Sequence, residues 1–357
     1  RSRAGATLWD EVMYISADTS FKTEALRPMM RECKQRSKIV SISINLYRNV
    51  QGFLLNSCIK TKDRSVLEDL LSAKMMESMA YLGNEALNGT HEMNGRLEYF
   101  RMVDEAVWPE RVLPFIMHEG GEVARSAGFN RGWPKGRGVL PGAPVTGPTG
   151  ETRRTKVVVG QEEHLTFNVT ATNVPGNNGQ YAIDMMDPVM AAFDDAKLAV
   201  DMLSNSVKYQ HDAKYGWITS DVTKLGCSMD VSIELRLFYL SQSKPAVAEV
   251  LDLENLTGQV IVSRCSSKLK LVRLTTKRSL GLRESDVQRI IIQAAVAVLD
   301  EEGARFDQKR TEIEGSLSRV FSYATLLLKH TALKAFEAKV KHRKFNQSDK
   351  LMLRNRG

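Results

Sequence analysis

The chain has 357 residues, of which 43% are hydrophobic and 26% are charged, and it carries a net charge of +8. This composition lies close to the globular average, so it excludes a disordered chain and predicts a substantial buried core. The longest apolar run, residues 290–299, is about half as long as a membrane span requires, and it contains Gln293. No transmembrane helix is therefore expected.

The four cysteines are Cys33, Cys58, Cys227 and Cys265, and they lie far apart in the sequence. They form no CxxC pair, which argues against a zinc site and against a disulfide framework. No apolar signal-peptide core follows Arg1. We therefore expect reduced thiols in a reducing compartment.

Residues 1–127 are predicted to form an N-terminal helical region. Apolar residues recur there at spacings of three and four, from Val40 to Val50 and again from Leu67 to Leu82. Glycines and asparagines between Asn84 and Asn94 predict helix ends and a loop.

Residues 128–154 are predicted to form a basic connecting arm. Seven glycines and four prolines between positions 128 and 150 exclude a continuous helix or a central strand. Aromatic side chains alternate with the bases, and such residues are frequent at protein interfaces and on RNA-stacking surfaces. We expect this arm to serve assembly through Phe129, Arg131, Trp133, Lys135 and Arg137.

Residues 155–280 are predicted to form a β-rich domain. Six segments carry β-branched or alternating residues and are predicted strands: 155–159, 164–172, 181–185, 229–239, 259–264 and 268–274. Turn-forming residues at 173–179 predict a hairpin between the second and third strands. A helix over about 187–208 is expected inside this domain, with Asp187 as its N-cap and Pro188 at its first position.

Residues 281–357 are predicted to form a C-terminal helical region with a basic tail. A capping box at Ser285 and Gln288 opens one helix. After Gly303 a second helix is expected, with a buried apolar stripe that includes Leu317 and Leu327. The tail contains seven bases that we expect to meet nucleic acid or the acidic surface of an adjoining subunit: Lys339, Lys341, Arg343, Lys344, Lys350, Arg354 and Arg356.

These regions together predict an α+β protein. Its helical body is formed by the N- and C-terminal regions, and the β-rich domain is inserted between them.

No motif supports a catalytic, cofactor-binding or metal-binding assignment. Residues 142–149 have the glycine spacing of a phosphate-binding loop, but Pro148 stands where the lysine belongs. Residues 118–122 contain one half of a zinc-protease motif and lack its second histidine. Five aspartates form a carboxylate cluster that is better explained by helix capping and a solvated face: Asp184, Asp187, Asp194, Asp195 and Asp201.

The function favoured by these observations is a non-enzymatic structural protein that self-assembles into a virus or phage particle. Its expected partners are copies of itself and neighbouring structural subunits, with nucleic acid as a further partner of the basic arm and tail. Its expected location is the virion, after assembly in the host cytoplasm. One alternative is a nucleoprotein that coats single-stranded RNA or DNA. A second is an enzyme whose site is dispersed along the sequence.

Overall fold

The computed structural model describes residues 23–33, 35–56, 58–85, 98–99, 135–140, 142, 144–174 and 183–354. The helices in these residues are α1 (Thr23–Glu32), α2 (Thr61–Glu85), α3 (Met186–Ser204), α4 (Lys244–Leu253) and α5 (Glu284–Arg354). The strands are β1 (Ile39–Arg48), β2 (Glu98–Tyr99), β3 (Gly138–Leu140), β4 (Pro144–Thr146), β5 (Thr152–Val159), β6 (Leu165–Thr172), β7 (His211–Asp212), β8 (Gly216–Trp217), β9 (Met229–Arg236), β10 (Val260–Ser266) and β11 (Leu271–Thr276). The chain divides into two compact units between Glu302 and Gly303. No helix among the described residues has the length and apolar character of a bilayer span.

Among the described residues of the first unit, nine strands form one antiparallel sheet. Its strands follow the order β10-β11-β9-β1-β6-β5-β3-β2, with β4 pairing on β5. Strands β7 and β8 form a separate pair. The central strand β1 is therefore joined to two partners that are distant in sequence.

The helical stripe predicted from Val40 to Val50 is wrong, because this segment is strand β1. Ile42, Ile44 and Leu46 alternate with the half-buried Ser43 and Asn45, which is the two-residue period of a strand. The segment is apolar enough that helical spacings also occur in it by coincidence.

One face of the sheet forms the hydrophobic core. Buried side chains of β6 and β9, including Phe167, Val169 and Ile233, share one cluster with the α3 residues Phe193 and Val200. Each large apolar side chain that is removed from water contributes roughly 1.5–3 kcal/mol to folding. This face therefore fixes the position of α3 on the sheet.

Five of the six predicted strands are confirmed as β5, β6, β9, β10 and β11. The remaining one, 181–185, lies partly outside the described residues, and its described end at 183–185 is not a strand. Helix α3 begins at Met186, whose backbone N–H is bound by the Asp184 carboxylate at 3.0 Å. Asp187 lies in the first turn and pairs with Arg27 at 2.8 Å, so the predicted N-cap at Asp187 is wrong.

The two predicted C-terminal helices are one continuous helix, α5. Its first turns are buried through residues such as Val287 and Ile291, whereas Leu317 and Leu327 are exposed. A single glycine costs a helix only about 1 kcal/mol, so Gly303 does not end it. The buried stripe predicted after Gly303 is therefore wrong. The α+β layout with an inserted domain, and its boundaries at 127, 154 and 280, remain predictions.

Candidate functional site

The second face of the sheet is polar. Alternate side chains of β1, β6 and β9 point to it, and we call this surface the polar face; its central members are Ser43, Asn45, Asn168, Thr170, Asp230 and Ser232. Asn45 lies opposite Asn168 on one side and opposite Asp230 on the other. The Asn168 amide donates to the Asn45 amide oxygen at 2.6 Å and to the Ser43 hydroxyl at 3.2 Å. A half-buried network of polar groups thus crosses three strands.

Two carboxylates and one ammonium group meet at one end of this face. We call this group the Lys224 cluster, formed by Tyr47, Glu162, Lys224 and Asp230. Lys224 Nζ lies 2.8 Å from Glu162 Oε2, 3.4 Å from Asp230 Oδ2 and 3.9 Å from the centre of the Tyr47 ring. The Tyr47 hydroxyl donates to Asp230 Oδ2 at 3.0 Å. The site therefore holds a single cation between two carboxylates and an aromatic face.

The pKa values of the cluster reflect this crowding. Burial lowers the pKa of Lys224, but the acidic groups of Tyr47, Asp230 and Glu162 together raise it above its usual range. Burial raises the pKa of Asp230, although Lys224 and the Tyr47 hydroxyl oppose that effect. The cluster consequently favours a bound cation and makes Asp230 a stronger base than a solvated aspartate.

The turn that carries Glu162 is held in place by its neighbour Glu163. The buried Glu163 carboxylate accepts hydrogen bonds from the Asn49 amide at 2.6 Å, the Ser220 backbone N–H at 2.7 Å and the Ser220 hydroxyl at 3.0 Å. Burial raises the pKa of Glu163 in spite of these bonds. Glu163 thereby ties the β5–β6 turn to the end of β1 and to the loop that leads to Lys224.

The next residue, His164, is part of the same support. Its Nδ1 accepts from the Val50 backbone N–H at 3.0 Å, so its Nε2 carries the proton and donates to the Leu54 carbonyl at 2.9 Å. Burial, together with the charges of Arg64 and Arg137, lowers the pKa of His164 to about 4, although the hydrogen bond to Leu54 opposes the shift. His164 is therefore a neutral structural residue at physiological pH.

Basic residues lie on the polar face at the opposite side from the Lys224 cluster. Lys156 of β5 is opposite Asn168, so it stands in the same cross-strand row as Asn45 and Asp230. Arg154 is two residues away on the same face. Burial lowers the pKa of Lys156, and the Arg154 charge lowers it further. Three strand spacings, about 14 Å, separate the backbones of Lys156 and Asp230.

The residues predicted for assembly are placed only in part by the structure. Phe129, Arg131 and Trp133 lie outside the described residues, whereas Lys135 is exposed and Arg137 is fully buried. In the tail, Lys339 is exposed and the helix continues to Arg354, while Arg356 lies outside the described residues. The described bases of the tail are Lys339, Lys341, Arg343, Lys344, Lys350 and Arg354. Their role in assembly remains a prediction.

The structure describes two of the three motif-like features of the sequence, the glycine-rich residues 142–149 in part and the aspartate cluster, but not residues 118–122. Residues 144–146 form strand β4, and a Cβ at Gly142 would lie 1.7 Å from the Thr155 carbonyl oxygen, so this glycine serves close packing on β5. Asp184 pairs with Arg36 at 2.7 Å, and Asp195 pairs with Arg153 at 2.7 Å, which places both in ion pairs. Residues 118–122 lie outside the described residues. Among the described residues no group of three or more acidic, histidine or cysteine side chains could hold a metal ion.

The Lys224 cluster was missed by reasoning from the sequence. Its members come from β1, the β5–β6 turn, a short 3-10 helix (Val222–Lys224) and β9. The available signal was the adjacent pair Glu162 and Glu163, which follows the apolar end of β5 after Gly160 and Gln161, where the strand turns. Paired carboxylates at a strand end are candidates for a site, but their partners cannot be read from spacing.

The curated proteins that are similar to this chain in sequence include kinases. An arginine kinase from Limulus polyphemus is 23% identical over 257 residues, covering 70% of this chain and 62% of that protein. A taurocyamine kinase from Schistosoma mansoni is 25% identical over 254 residues, covering 69% of this chain and 29% of that protein. The chain thus spans less than two thirds of the length of these relatives.

Solved structures show the same fold. The substrate-free duplicated taurocyamine kinase from Schistosoma mansoni matches with a TM-score of 0.59 at 18% identity, covering 82% of this chain and 37% of that chain. Lombricine kinase matches with a TM-score of 0.57 at 14% identity, covering 77% and 68% respectively.

These findings overturn the predicted function. The structural protein of a virus or phage particle, the absence of enzymatic activity and the virion location are wrong, because the relatives are kinases. The basic arm and tail are continuous in the sequence and therefore conspicuous, whereas the residues of the polar face are scattered along it. The comparisons give no support to the nucleoprotein alternative either, because the relatives are kinases.

The family match spans residues 78–305, which is more than half of the chain and includes Glu162, Lys224 and Asp230. The matching family is described as ATP:guanido phosphotransferase, C-terminal catalytic domain. The chain belongs to the ATP:guanido phosphotransferase family, through its C-terminal catalytic domain.

Proposed function

We propose that the chain transfers a phosphoryl group between ATP and a guanidino compound on the polar face. Family membership supports the reaction class. The observation that carries the placement is the convergence of Glu162 and Asp230 on one cation, because a guanidinium group is recognised by carboxylates that accept its N–H donors.

The Lys224 ammonium occupies the position that we assign to the guanidinium. It lies within 4 Å of both carboxylates and over the Tyr47 ring, and a planar guanidinium would make the same three kinds of contact. Substrate binding therefore requires Lys224 to move aside on its flexible stem. The positive charge of the displaced Lys224 would then lie beside the guanidinium and the phosphoryl group that it receives.

The chemical step follows from these positions. Glu162 orients the guanidinium, and Asp230 accepts a proton from the attacking nitrogen. That nitrogen forms a bond to the γ-phosphorus of ATP, while the bond from the γ-phosphorus to the β–γ bridging oxygen breaks and ADP leaves with the electron pair. The raised pKa of Asp230 suits this proton transfer at neutral pH, because a stronger base is the better acceptor.

The phosphates of ATP need positive partners, since their transfer depends on stabilising charge. In the proposed site these partners are Lys156 and Arg154, which stand across the face from the two carboxylates. The groups between them are the neutral Asn45, Asn168 and Thr170. ATP affinity should therefore depend strongly on the two bases of β5.

The test is transfer of phosphate from ATP to arginine and to taurocyamine, measured as phosphorylated product. We expect Glu162→Gln to lower the rate by about 100-fold or more, because it removes a charge from the guanidinium site. The matched control is Glu249→Gln on the exposed surface of α4, which should leave the rate unchanged. No product with either compound, or an unaffected Glu162→Gln variant, would contradict the proposal.

A further inference from the structure

The backbone of Tyr47 is held on both sides at the end of β1. Its N–H donates to the Ser228 carbonyl at 2.9 Å, and its own carbonyl accepts from the Ser228 hydroxyl at 3.0 Å and from Arg48 Nη1 at 2.8 Å. Both Ser228 and Arg48 are fully buried. The Tyr47 side chain therefore reaches the polar face from a well-fixed backbone.

Tyr47 meets Asp230 diagonally across two neighbouring strands. Asn45 lies directly opposite Asp230, and Tyr47 follows Asn45 by two positions. Diagonal neighbours in a sheet are about 7–8 Å apart, which is within the reach of an aromatic side chain. The Tyr47 hydroxyl donates to Asp230 Oδ2 at 3.0 Å, and Tyr47 is only 7% exposed, so this hydrogen bond is shielded from water.

The two oxygens of the Asp230 carboxylate differ in their partners. Oδ2 accepts from the Tyr47 hydroxyl and lies 3.4 Å from Lys224 Nζ. Within the described parts of the chain, Oδ1 takes part in no hydrogen bond or ion pair, and the Asp230 side chain keeps 23% exposure. Oδ1 is consequently the oxygen that a ligand can reach.

The hydrogen bond from Tyr47 gains importance when a guanidinium displaces Lys224. Among the described side chains, the Tyr47 hydroxyl is then the remaining donor to Asp230 Oδ2. Burial and the nearby Asp230 carboxylate raise the pKa of Tyr47 well above its ordinary value. The phenol therefore keeps its proton and stays a donor throughout the reaction.

We infer that Tyr47 is a positioning residue for the base: its hydroxyl holds Asp230 Oδ2 and thereby presents Oδ1 to the attacking nitrogen. This role rests on the proposed function, in which Asp230 accepts the proton of that nitrogen. The proton passes from the nitrogen to Oδ1, and the phenol keeps its own proton. The ring face of Tyr47 serves separately as a contact for the guanidinium.

The hydroxyl also sets the pH at which the base is protonated. A hydrogen bond to a carboxylate favours its charged form, so loss of the Tyr47 hydroxyl raises the pKa of Asp230. The other charged groups around Asp230 are Lys224 and Glu162, and the exposed Lys277 follows β11 on the neighbouring side. These groups are unchanged when only the hydroxyl is removed, so a comparison of the two proteins isolates Tyr47.

The test is the pH dependence of kcat for arginine phosphorylation in the wild type and in Tyr47→Phe. Loss of orientation should lower the plateau of kcat about 10-fold. The acid limb should move up by about one pH unit, because the base is protonated at a higher pH. KM for arginine should stay nearly unchanged, since phenylalanine keeps the ring.

The matched control is Tyr209→Phe. It removes another buried hydroxyl, which donates to the Val200 carbonyl at 3.1 Å, so the acid limb should stay in place. A stronger donor should act in the opposite sense to Tyr47→Phe: 3-fluorotyrosine at position 47 has a more acidic phenol and should move the acid limb to lower pH. Opposite shifts from the two replacements cannot arise from altered packing alone.

The titration of the Asp230 carboxyl carbon by NMR gives a readout that needs no turnover. Its midpoint should move up in Tyr47→Phe and down with 3-fluorotyrosine. An unmoved titration, or an unmoved acid limb in an active Tyr47→Phe enzyme, would overturn the positioning role and leave the proposed function intact. A wild type that phosphorylates neither arginine nor taurocyamine would overturn the proposed function and this role with it. If Tyr47→Phe does not fold, an acid limb that 3-fluorotyrosine leaves in place would overturn the role.

Discussion

The two faces of the sheet use the same strands for different purposes. On one face, Phe167, Val231 and Ile233 are fully buried with residues of α3 in the hydrophobic core. On the other, Asn168, Asp230 and Ser232 are half-buried and bonded to polar neighbours. Alternation along a strand thus lets neighbouring residues serve stability and chemistry separately. Substitutions on the buried face should act mainly on folding, and those on the polar face mainly on ligands.

The largest expected effect is on the buried face. Phe167→Ala should lower the free energy of unfolding by about 3–5 kcal/mol, because it removes a buried aromatic ring and leaves a cavity. The measurement is equilibrium denaturation, with Asn168→Ala on the opposite face as the comparison. An equal decrease in the free energy of unfolding of the two variants would contradict the claim that the buried face determines stability and the polar face determines ligand binding.

A second prediction concerns His164, which is buried in the turn between β5 and β6. Its pKa is about 4 in the folded chain, below the ordinary value of 6.5, so the unfolded chain binds the proton first as the pH falls. His164 therefore contributes stability that is present above pH 6.5 and is lost towards pH 4, amounting to about 3 kcal/mol.

The measurement is unfolding free energy against pH for the wild type and for His164→Asn. The buried Glu163 acts in the opposite sense, because its raised pKa makes stability fall as the pH rises above the ordinary glutamate value. Only the difference between the two proteins isolates His164. An identical pH slope in both would show that this histidine is not held neutral. The exposed His330 offers a control in His330→Asn.

On the polar face, Lys224→Met should lower the free energy of unfolding by about 1–3 kcal/mol at pH 7, since it leaves Asp230 and Glu162 without their cation. Added arginine should raise the melting temperature of this variant more than that of the wild type, because the guanidinium can fill the vacated position. The same increase in both proteins would place the guanidinium elsewhere.

The smallest expected effect is at Arg273, which bonds Glu234 at 2.8 Å but is 43% exposed. Arg273→Ala should change the free energy of unfolding by only about 0–1 kcal/mol, as is usual for exposed ion pairs. A double-mutant cycle with Glu234→Ala measures the pair. A coupling well above this range would show that the polar face also stabilises the fold.

The sequence was a good guide to strands with strict alternation, such as β9, because burial of one face leaves a two-residue period. The sequence pattern wrongly predicted a helix at β1, because the buried residues at both ends of this strand, Val40 and Tyr47, add helical spacings to the alternation. It also misled at Gly303, since a helix can pass through one glycine at small cost.

The candidate site could not be predicted for a different reason. Tyr47 and Asp230 are 183 residues apart, and they meet because β1 and β9 are neighbours in the sheet. Local propensity carries no information about such pairing. Only the adjacent Glu162 and Glu163 gave a local signal, and their separate roles depend on which one is buried.

The central claim is that Glu162 and Asp230 receive the guanidinium group of the substrate. The most direct measurement is a crystal structure of the chain with arginine and a non-hydrolysable ATP analogue. We predict the guanidinium within hydrogen-bond distance of both carboxylates, Lys224 displaced from between them, and the phosphates beside Lys156 and Arg154. A guanidinium bound away from the Lys224 cluster, with Lys224 still held by Glu162, would contradict the account.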